Sequence, residues 1–395
     1  MHIALVTGHE TRPEDASFER LVAADSQPRA LAGALADRGH DVTMYAPTDQ
    51  EVSSGSDEVA PGVTLELAYV GATGEPGSAK RYATFLEETW RDDQPDLAHS
   101  FSCSAGLAVV AGDDEVPLVL DCRAVEVPPT KSLQDARWAK LQTALGRRAK
   151  RTLVSGHPQA DELARRGIPR STMSVVSYGV DLAVFAPEGD AAPRTDLHRL
   201  VCADGLVADQ GAEKVVAALP HVPGTELVIA GGPSLNAIDT DDDAIRIRDL
   251  AERLGVAARV TMVGTLPAAE LADLFRSADV VVSVPDNDTP RGPSCVEAMA
   301  CGAPLVATDV DDIVLDGVSG VTVAAGASPD RLAVVLRRLV ADDPRRTAYG
   351  IAGADRAAAC FSWGRVATDV ETAYTSAVRT GHFTGRDLTG KYRIG

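Results

Sequence analysis

Short apolar runs rich in β-branched residues alternate with longer stretches of helical periodicity along the chain. In the first half, a helix predicted over 28–38 places Leu31, Ala34 and Leu35 on one face and ends at Gly39. A second helix is predicted over about 78–92. The strands predicted in this half are HIALVT (2–7), DVTMYAP (41–47), TLELAYV (64–70), DLAHSF (96–101), VPLVLD (116–121) and RTLVSG (151–156).

The second half repeats this plan. Its predicted helices cover about 211–219, 243–254, 268–276 and 329–341. Its predicted strands are RLVCAD (199–204), ELVIAGG (226–232), RVTMVG (259–264), DVVVSVP (279–285) and PLVATD (304–309). Between the halves, the segment 178–196 is rich in Pro, Gly and Asp, as a linker would be.

This alternation predicts an α/β protein made of two doubly wound, Rossmann-like domains that face each other across a cleft. Each domain would hold a parallel sheet that is covered by helices on both faces. The predicted boundaries are 1–183 for the first domain, 184–197 for the linker, 198–361 for the second domain and 380–395 for a tail. Ligands of such sheets bind at the carboxyl ends of the strands.

Composition narrows the class of protein. The 395 residues are 45% hydrophobic and 24% charged, as in a globular protein. No run of eighteen apolar residues occurs, so stable membrane insertion is not predicted. The first ten residues are typical of a strand rather than a signal peptide. The net charge of −19 argues against nucleic-acid binding, because phosphate contacts need a basic face. The six cysteines include no CxxC pair, so they are predicted to be small buried apolar residues of a protein in a reducing cytoplasm. The abundance of Ala and Arg suggests a bacterial source.

The stretch TPRGPSCVEAMACGAPLVATD (289–309) carries the most specific signal. Ser294 and Glu297 have the S-x-x-E spacing of a capping box, in which Ser294 accepts from the Glu297 amide. A short helix would be started by Pro293 and ended by Gly302 and the proline that follows. Local spacing therefore favours a structural role for Glu297 over a ligand role.

The order of several blocks then adds a family context. YGVDLAVFAP, LVIAGGP, VGTLPAAELADLFRSADVVVSVP, EAMACGAPLVATDV and FSWGRVA together resemble the family-4 glycosyltransferases of the GT-B type, and ALADRGHDVTMYAP extends the resemblance into the first half. The resemblance implies a second domain that binds a nucleoside-diphosphate sugar, a first domain that binds the acceptor, and usually retention of anomeric configuration. It also implies that the helix over about 362–379 crosses back to the first domain.

By this resemblance, Glu297 matches the second glutamate of the E-x7-E motif, which accepts hydrogen bonds from the ribose. In that context the ligand role of Glu297 is favoured, and it is compatible with bracing the turn. Backbone amides at 293–296 would bind the diphosphate. The implied donor-binding residues are Gly205, Gln210, Gly231, Gly232, Val263, Gly264, Leu266, Gly292, Pro293, Ser294, Cys295, Val296 and Glu297.

Several positions depart from the family pattern. Thr289 stands where the first glutamate of E-x7-E is expected near the sugar hydroxyls, and it is kept as a catalytic candidate. Gly205 and Gln210 stand where an Arg and a Lys normally bind the departing diphosphate. Such cations are among the larger catalytic contributions in phosphate chemistry. Lys214, one helical turn further on, is a weaker candidate for the same task.

The acceptor side departs as well. The Gly-Gly loop of the family is absent, and Gly8 is the only glycine near the first strand end. His99 matches the first histidine of an H-x-H pattern, whereas Phe101 replaces the second. His99 is a catalytic candidate by resemblance, although a lone histidine at a strand end is more often structural. Arg123 follows the strand at 116–121, where the family makes acceptor contacts.

Three further signals are weighed against plain alternatives. The acidic runs DTDDD (239–243) and DND (286–288) could bind a hard cation. The first run, however, suits a helix N-terminus, and the resemblance implies that GT-B folds bind phosphate without a metal. Neither a metal nor another cofactor is therefore predicted. The segment 131–151 carries seven basic residues and one acid, which fits a membrane surface or an anionic acceptor, with a solvated covering helix favoured. GHP (156–158) is predicted to start a helix around His157.

The leading hypothesis is therefore a glycosyltransferase that moves a sugar from a nucleotide sugar to an acceptor. The alternative is a catalytically degenerate relative that binds a ligand or a partner enzyme, since Gly205, Gln210, Thr289 and Phe101 replace expected residues together. A phosphorylase or epimerase on the same architecture is less favoured, because it too would need the missing cations. A homo-oligomer is left open by the sequence.

Overall fold

The computed structural model describes residues 1–8, 27–49, 56–71, 77–123, 133–208, 210–285, 292–309 and 312–381. The chain forms two compact units. The first unit comprises Met1–Ser155, Ala160–Val176 and Val366–Gly395, and the second comprises Gly156–Gln159 and Ser177–Arg365. Each unit is an α/β structure built on one sheet, as the alternation of strands and helices predicts.

The first sheet has eight strands in the order β3-β4-β2-β1-β5-β6-β7-β8. All neighbours are parallel except β3 and β4, which are antiparallel. The strands are β1 (His2–Val6), β2 (Asp41–Thr48), β3 (Ser56–Ala60), β4 (Val63–Tyr69), β5 (Leu97–Ser100), β6 (Leu118–Asp121), β7 (Arg151–Val154) and β8 (Met173–Val175). The helices are α1 (Gln27–Ala36), α2 (Ser78–Trp90), α3 (Cys103–Gly112), α4 (Leu133–Arg148) and α5 (His157–Arg165).

The second sheet has six parallel strands in the order β11-β10-β9-β12-β13-β14. These are β9 (His198–Cys202), β10 (Thr225–Ala230), β11 (Val260–Gly264), β12 (Val280–Ser283), β13 (Leu305–Thr308) and β14 (Gly320–Val323). The helices that follow α5 are α6 (Ala212–Ala218), α7 (Asp242–Arg253), α8 (Ala268–Arg276), α9 (Ser294–Ala300), α10 (Pro329–Val340), α11 (Asp343–Cys360) and α12 (Trp363–Gly381).

Strand β9 explains why the second sheet is covered on both faces. Leu200 and Cys202 point into one core cluster and Val201 into another, and all three are fully buried. Successive strand residues point to opposite faces, so a strand with every side chain apolar must be sandwiched between two layers. Of the six cysteines, five are buried and Cys360 is half-buried, and all are free thiols, as predicted.

Two local predictions about helix ends are confirmed. Helix α5 begins at His157. Helix α7 begins within the acidic run DTDDD, where the Asp241 carboxylate accepts a hydrogen bond of 2.8 Å from the Ala244 amide. The acidic residues thus stabilise the N-terminus of α7, where unpaired amides and the helix dipole favour negative charge.

Candidate functional site

Strand β9 lies at the point where the connections of the second sheet reverse direction. From β9 the chain proceeds to β10 and β11 on one side, whereas β12, β13 and β14 extend from its other side. The loops after β9 and β12 therefore diverge, and this is the place where open α/β sheets bind ligands. We call the residues that meet here, Asp204, Gly205, Val284 and Ser294, the switch-point edge.

A hydrogen bond joins the two sides of this edge. The Ser294 hydroxyl in the first turn of α9 donates to the Asp204 carboxylate two residues after β9, at 2.6 Å. Asp204 is half-buried, with its Oδ1 atom accepting from Ser294 and its Oδ2 atom buried. Asp204 is not among the site residues that the sequence pattern predicts.

Close backbone packing explains why glycines follow β9 and β10. Gly205 and Gly231 both have positive φ angles, of 88° and 94°. A Cβ atom on Gly231 would lie 2.9 Å from the Gly205 Cα atom, so the two turns touch through their backbones. The Gly231 amide also donates to the Gly264 carbonyl at 2.8 Å, which ties in the turn after β11.

The remaining predicted donor residues of these turns lie alongside. The Thr265 amide donates to the Pro233 carbonyl at 3.1 Å, which links the turn that holds Gly232 to the one that precedes Leu266. Val263 and Leu266 are half-buried and pack against the core. Gln210 is half-buried in the turn before α6, where its amide donates to the Val207 carbonyl at 3.2 Å.

The predicted capping box at Ser294 and Glu297 is wrong. Helix α9 begins at Ser294 with Pro293 as its N-cap residue, and the Glu297 amide donates to the Pro293 carbonyl at 3.0 Å. Ser294 already lies inside the first turn, and its hydroxyl is directed to Asp204 instead. Since no side chain caps α9, the cap interpretation of Glu297 falls away, while its ligand role stays a prediction.

Exposure differs sharply along the start of α9. Gly292 is exposed, Pro293 and Glu297 are half-buried, and the side chains of Cys295 and Val296 are completely buried. Cys295 and Val296 can therefore contribute to a donor site only through their backbones. Thr289 and the DND run at 286–288 lie outside the described residues.

Lys214 places a cation at the switch-point edge. It lies in α6, is only 8% exposed, and its ammonium donates to the Val284 carbonyl at 3.2 Å. Val284 immediately follows β12, so the charge reaches the carboxyl end of that strand. Lys214 stands four residues after Gln210, which is one helical turn beyond the position where the family pattern has its Lys. No local sequence pattern relates Lys214 to Val284.

The first sheet has its own reversal point, between β1 and β5. Gly8 follows β1 there and packs against the start of α3, where a Cβ atom on it would lie 2.2 Å from the Ser102 hydroxyl and 2.3 Å from the Ser104 hydroxyl. Ser102 is the N-cap of α3 and accepts from the Ala105 amide at 3.0 Å. The structure thus places Gly8 at the edge where an acceptor site would be expected.

His99 lies in a buried hydrogen-bonded network. Its Nδ1 lies 2.6 Å from the Tyr374 hydroxyl of α12, and its Nε2 lies 3.3 Å from the Asp121 carboxylate. The ring also stacks on Phe101, with centroids 4.4 Å apart. Burial lowers the pKa of His99, although the Asp121 hydrogen bond partly offsets this. Its side chain has no exposed surface, which favours the structural role over the catalytic one.

Arg123 completes the same network through an ion pair with Asp121. Its guanidinium donates to both carboxylate oxygens, at distances of 2.6 Å to 3.0 Å, and both side chains are at most 5% exposed. Burial alone would raise the pKa of Asp121, but the Arg123 charge and the His99 and Arg123 hydrogen bonds lower it below its usual value. Arg123 thus binds an internal carboxylate, and its acceptor role stays a prediction.

Replacing Asp121 tests this network. Asp121→Asn removes the carboxylate charge that pairs with the buried Arg123, so we expect the free energy of unfolding at pH 7 to fall by about 3–5 kcal/mol in urea titrations. Because the pKa of Asp121 is lowered in the folded protein, the wild-type advantage is complete above about pH 4 and shrinks as the pH falls. The control Asp114→Asn removes the exposed pair with Arg148 and should cost less than about 1 kcal/mol. Equal losses in the two variants would contradict the assignment.

Neither a metal site nor a membrane span is evident in the described part of the chain. No group of three or more His, Cys, Asp or Glu side chains among those residues is arranged to hold a metal ion. Within the same ranges, every helix is too short or too polar to cross a bilayer.

Comparisons with known proteins agree with this architecture. Residues 25–179 match the model of the glycosyl transferase 4-like domain, and residues 192–356 match that of the glycosyl transferases group 1. The chain is 30% identical over 371 residues to a D-inositol 3-phosphate glycosyltransferase of Mycolicibacterium gilvum, covering 87% of this chain and 82% of that protein. It is 36% identical over 222 residues to the protein of the same name from Segniliparus rotundus, with 53% and 48% covered.

Solved structures share the fold at low identity. Sucrose-phosphate synthase from Thermosynechococcus elongatus superposes with a TM-score of 0.81 at 21% identity, over 96% of this chain and 99% of that one. Anabaena HepE in complex with UDP and glucose gives a TM-score of 0.71 at 17% identity, over 95% and 100%. The matches to both domain models and to a relative 30% identical over 82% of its length, together with this shared fold, place the chain in the family-4 glycosyltransferases of the GT-B type.

Proposed function

We propose that this glycosyltransferase takes its sugar from a nucleoside-diphosphate sugar bound at the switch-point edge of the second unit. The observation that carries the proposal is the meeting of backbone turns and the buried cation of Lys214 at this edge. The glycine turns after β9 and β10 pack on each other through their backbones, and Lys214 supplies a positive charge at the end of β12. A pyrophosphate needs both features.

The chemistry at this edge follows from the residues present. As the bond between the sugar and the diphosphate breaks, negative charge builds up on the leaving phosphate. The Lys214 ammonium, already fixed by the Val284 carbonyl, would stabilise that charge without reorganisation. Glu297 would accept hydrogen bonds from the ribose. The acceptor hydroxyl would attack from the same face, with retention, and would pass its proton to the leaving phosphate oxygen. No metal or other cofactor enters the proposal.

The acceptor would bind at the first unit, near Gly8. The Mycolicibacterium gilvum relative, which aligns with 87% of this chain, is named for D-inositol 3-phosphate. A phosphorylated polyol is therefore the first acceptor class to test. The HepE structure contains UDP and glucose, which makes uridine diphosphate sugars the first donors to test.

A thermal-shift screen with UDP, GDP, dTDP and ADP tests the donor half of the proposal. We expect one nucleotide at millimolar concentration to raise the melting temperature by several degrees, because binding to the folded state alone stabilises it. The sugar conjugate of that nucleotide should then support transfer to D-inositol 3-phosphate or a related polyol phosphate, detected by mass spectrometry. No shift with any of the four and no transfer from UDP-, GDP- or dTDP-sugars would overturn it.

The Asp204 carboxylate favours a second candidate function. It lies at the same edge as Lys214, and its negative charge opposes that of a diphosphate. With Gly205 and Gln210 in place of two cations, the chain would be a ligand-binding or partner-binding relative that has lost catalysis. Nucleotide binding without any transfer would support this second candidate, whereas robust transfer by the unmodified protein would exclude it.

A further inference from the structure

A basic groove lies on the first unit, on the face of its sheet that α4 covers. The groove has a volume of about 460 Å³ and is lined by Ala139, Lys140, Thr143, Ala144, Arg147 and Arg166. Lys140 and Arg147 are seven residues apart on α4, which puts them on one helix face, and Arg166 follows the end of α5. The groove therefore has a small apolar floor and a cationic rim.

The charge of this region contrasts with that of the whole chain. Residues 131–170 contain ten Lys and Arg residues against three Asp and Glu, while the complete sequence has a net charge of −19. Some of these cations have internal partners, since Arg166 pairs with Glu162 and Arg148 with Asp114. Lys140 is exposed and has no ion-pair partner among the described residues. The groove is thus a local positive surface on a protein whose net negative charge would otherwise repel anions.

The apolar side of α4 is already used inside the unit. Leu145 is buried in the core, as is Ala149 just after the helix, and Trp138 and Leu141 pack against it. Among the side chains of α4 that the structure describes, which begin at Trp138, no apolar stripe is left to enter a bilayer. What it offers to a partner is cations, together with the aliphatic stems of Lys140 and Arg147.

We propose that this groove face docks on the anionic headgroups of a phospholipid bilayer. The cations are spread over two helices, so they match an extended negative surface. To bind a single small anion, the cations would have to converge on one point. Lys and Arg side chains near an anionic bilayer each strengthen its attraction, and salt weakens it. The remaining acidic surface would be repelled, so the first unit would approach the bilayer with α4 towards it.

Vesicle sedimentation with the full-length protein tests the proposal. We expect binding to vesicles of phosphatidylcholine with 30% phosphatidylglycerol (roughly the anionic content that attracts basic segments) in 50 mM salt. Binding should be lost in 500 mM salt, where the Debye length falls to roughly 4 Å. Vesicles of pure phosphatidylcholine should bind none of the protein. Equal binding to both compositions, or none to the anionic one, would overturn the proposal.

Single substitutions locate the docking surface. Lys140→Ala should lower the partition coefficient on anionic vesicles about fivefold, and Lys140→Arg should leave it unchanged. The control Arg253→Ala removes the same charge from the exposed end of α7 in the second unit and should have no effect. Equal effects of Lys140→Ala and Arg253→Ala, at unchanged melting temperatures, would contradict docking through this face.

A competition experiment distinguishes docking on a bilayer surface from binding of a single phosphate ion. Inorganic phosphate at 5 mM, added at constant ionic strength, should leave vesicle binding unchanged if the headgroup surface as a whole is recognised. Displacement of the protein by that phosphate would show a site for a single soluble anion and would overturn the bilayer proposal. Binding to a short duplex DNA, together with no binding to anionic vesicles, would point to a nucleic-acid surface and overturn it too.

Discussion

Replacing Lys214 by Met reduces the turnover number for sugar transfer about a hundredfold, if its ammonium stabilises the leaving diphosphate. Methionine keeps most of the buried aliphatic stem while removing the charge that now lies 3.2 Å from the Val284 carbonyl. The effect should fall mainly on the turnover number, because charge on the leaving group grows towards the transition state. Steady-state kinetics with the preferred donor give the measurement.

Lys80→Met is the matched control for this prediction. Lys80 is an exposed residue of α2 in the first unit, so the same chemical change there should leave turnover unaltered. Melting temperatures of both variants show whether the fold survives. An unchanged turnover number in a folded Lys214→Met protein would remove Lys214 from the mechanism.

Replacing Gly231 by Ala has the second large effect expected from this structure. At a φ of 94°, alanine is strained, and its Cβ atom would lie 2.9 Å from the Gly205 Cα atom. Strain and backbone collision together should lower the free energy of unfolding by about 3 kcal/mol. Relaxation would also separate the turns after β9 and β10, so nucleotide binding should be abolished.

Gly255→Ala separates strain from collision. Gly255 has a φ of 68°, yet an added Cβ atom there would meet nothing within 4 Å. This variant should lose only about 1 kcal/mol in urea unfolding and bind nucleotide as the wild type does. If Gly231→Ala were no worse than Gly255→Ala in both measurements, the close approach of the two turns would not matter for the site.

Periodicity was enough to predict most of the second unit, because its strands are short apolar runs between amphipathic helices. It missed α3, whose sequence CSAGLAVVAG is apolar nearly all round and has no polar face to mark a helical period. It also missed α11, where glycines interrupt the pattern. Gly350 is needed there because a Cβ atom would lie 2.2 Å from the Gly302 carbonyl oxygen, a contact set by tertiary packing.

The candidate site shows the same division between local and tertiary information. The resemblance to known glycosyltransferases identified the glycine turns and α9 by their order along the chain. The spacing of Ser294 and Glu297 nevertheless led to a wrong cap, since the helix starts one residue earlier than a capping box requires. Lys214 and Val284 are separated by 70 residues, and Asp204 and Ser294 by 90, so only the folded sheet brings each pair together.

Hydrogen–deuterium exchange with the best-stabilising nucleotide tests the central claim most directly. If the switch-point edge holds the diphosphate, peptides that cover 203–211, 231–235 and 292–297 should exchange more slowly when the nucleotide is bound, while those of α10 should not change. Protection confined to the first unit, or no protection near Asp204 and Ser294 at saturating nucleotide, would contradict the account.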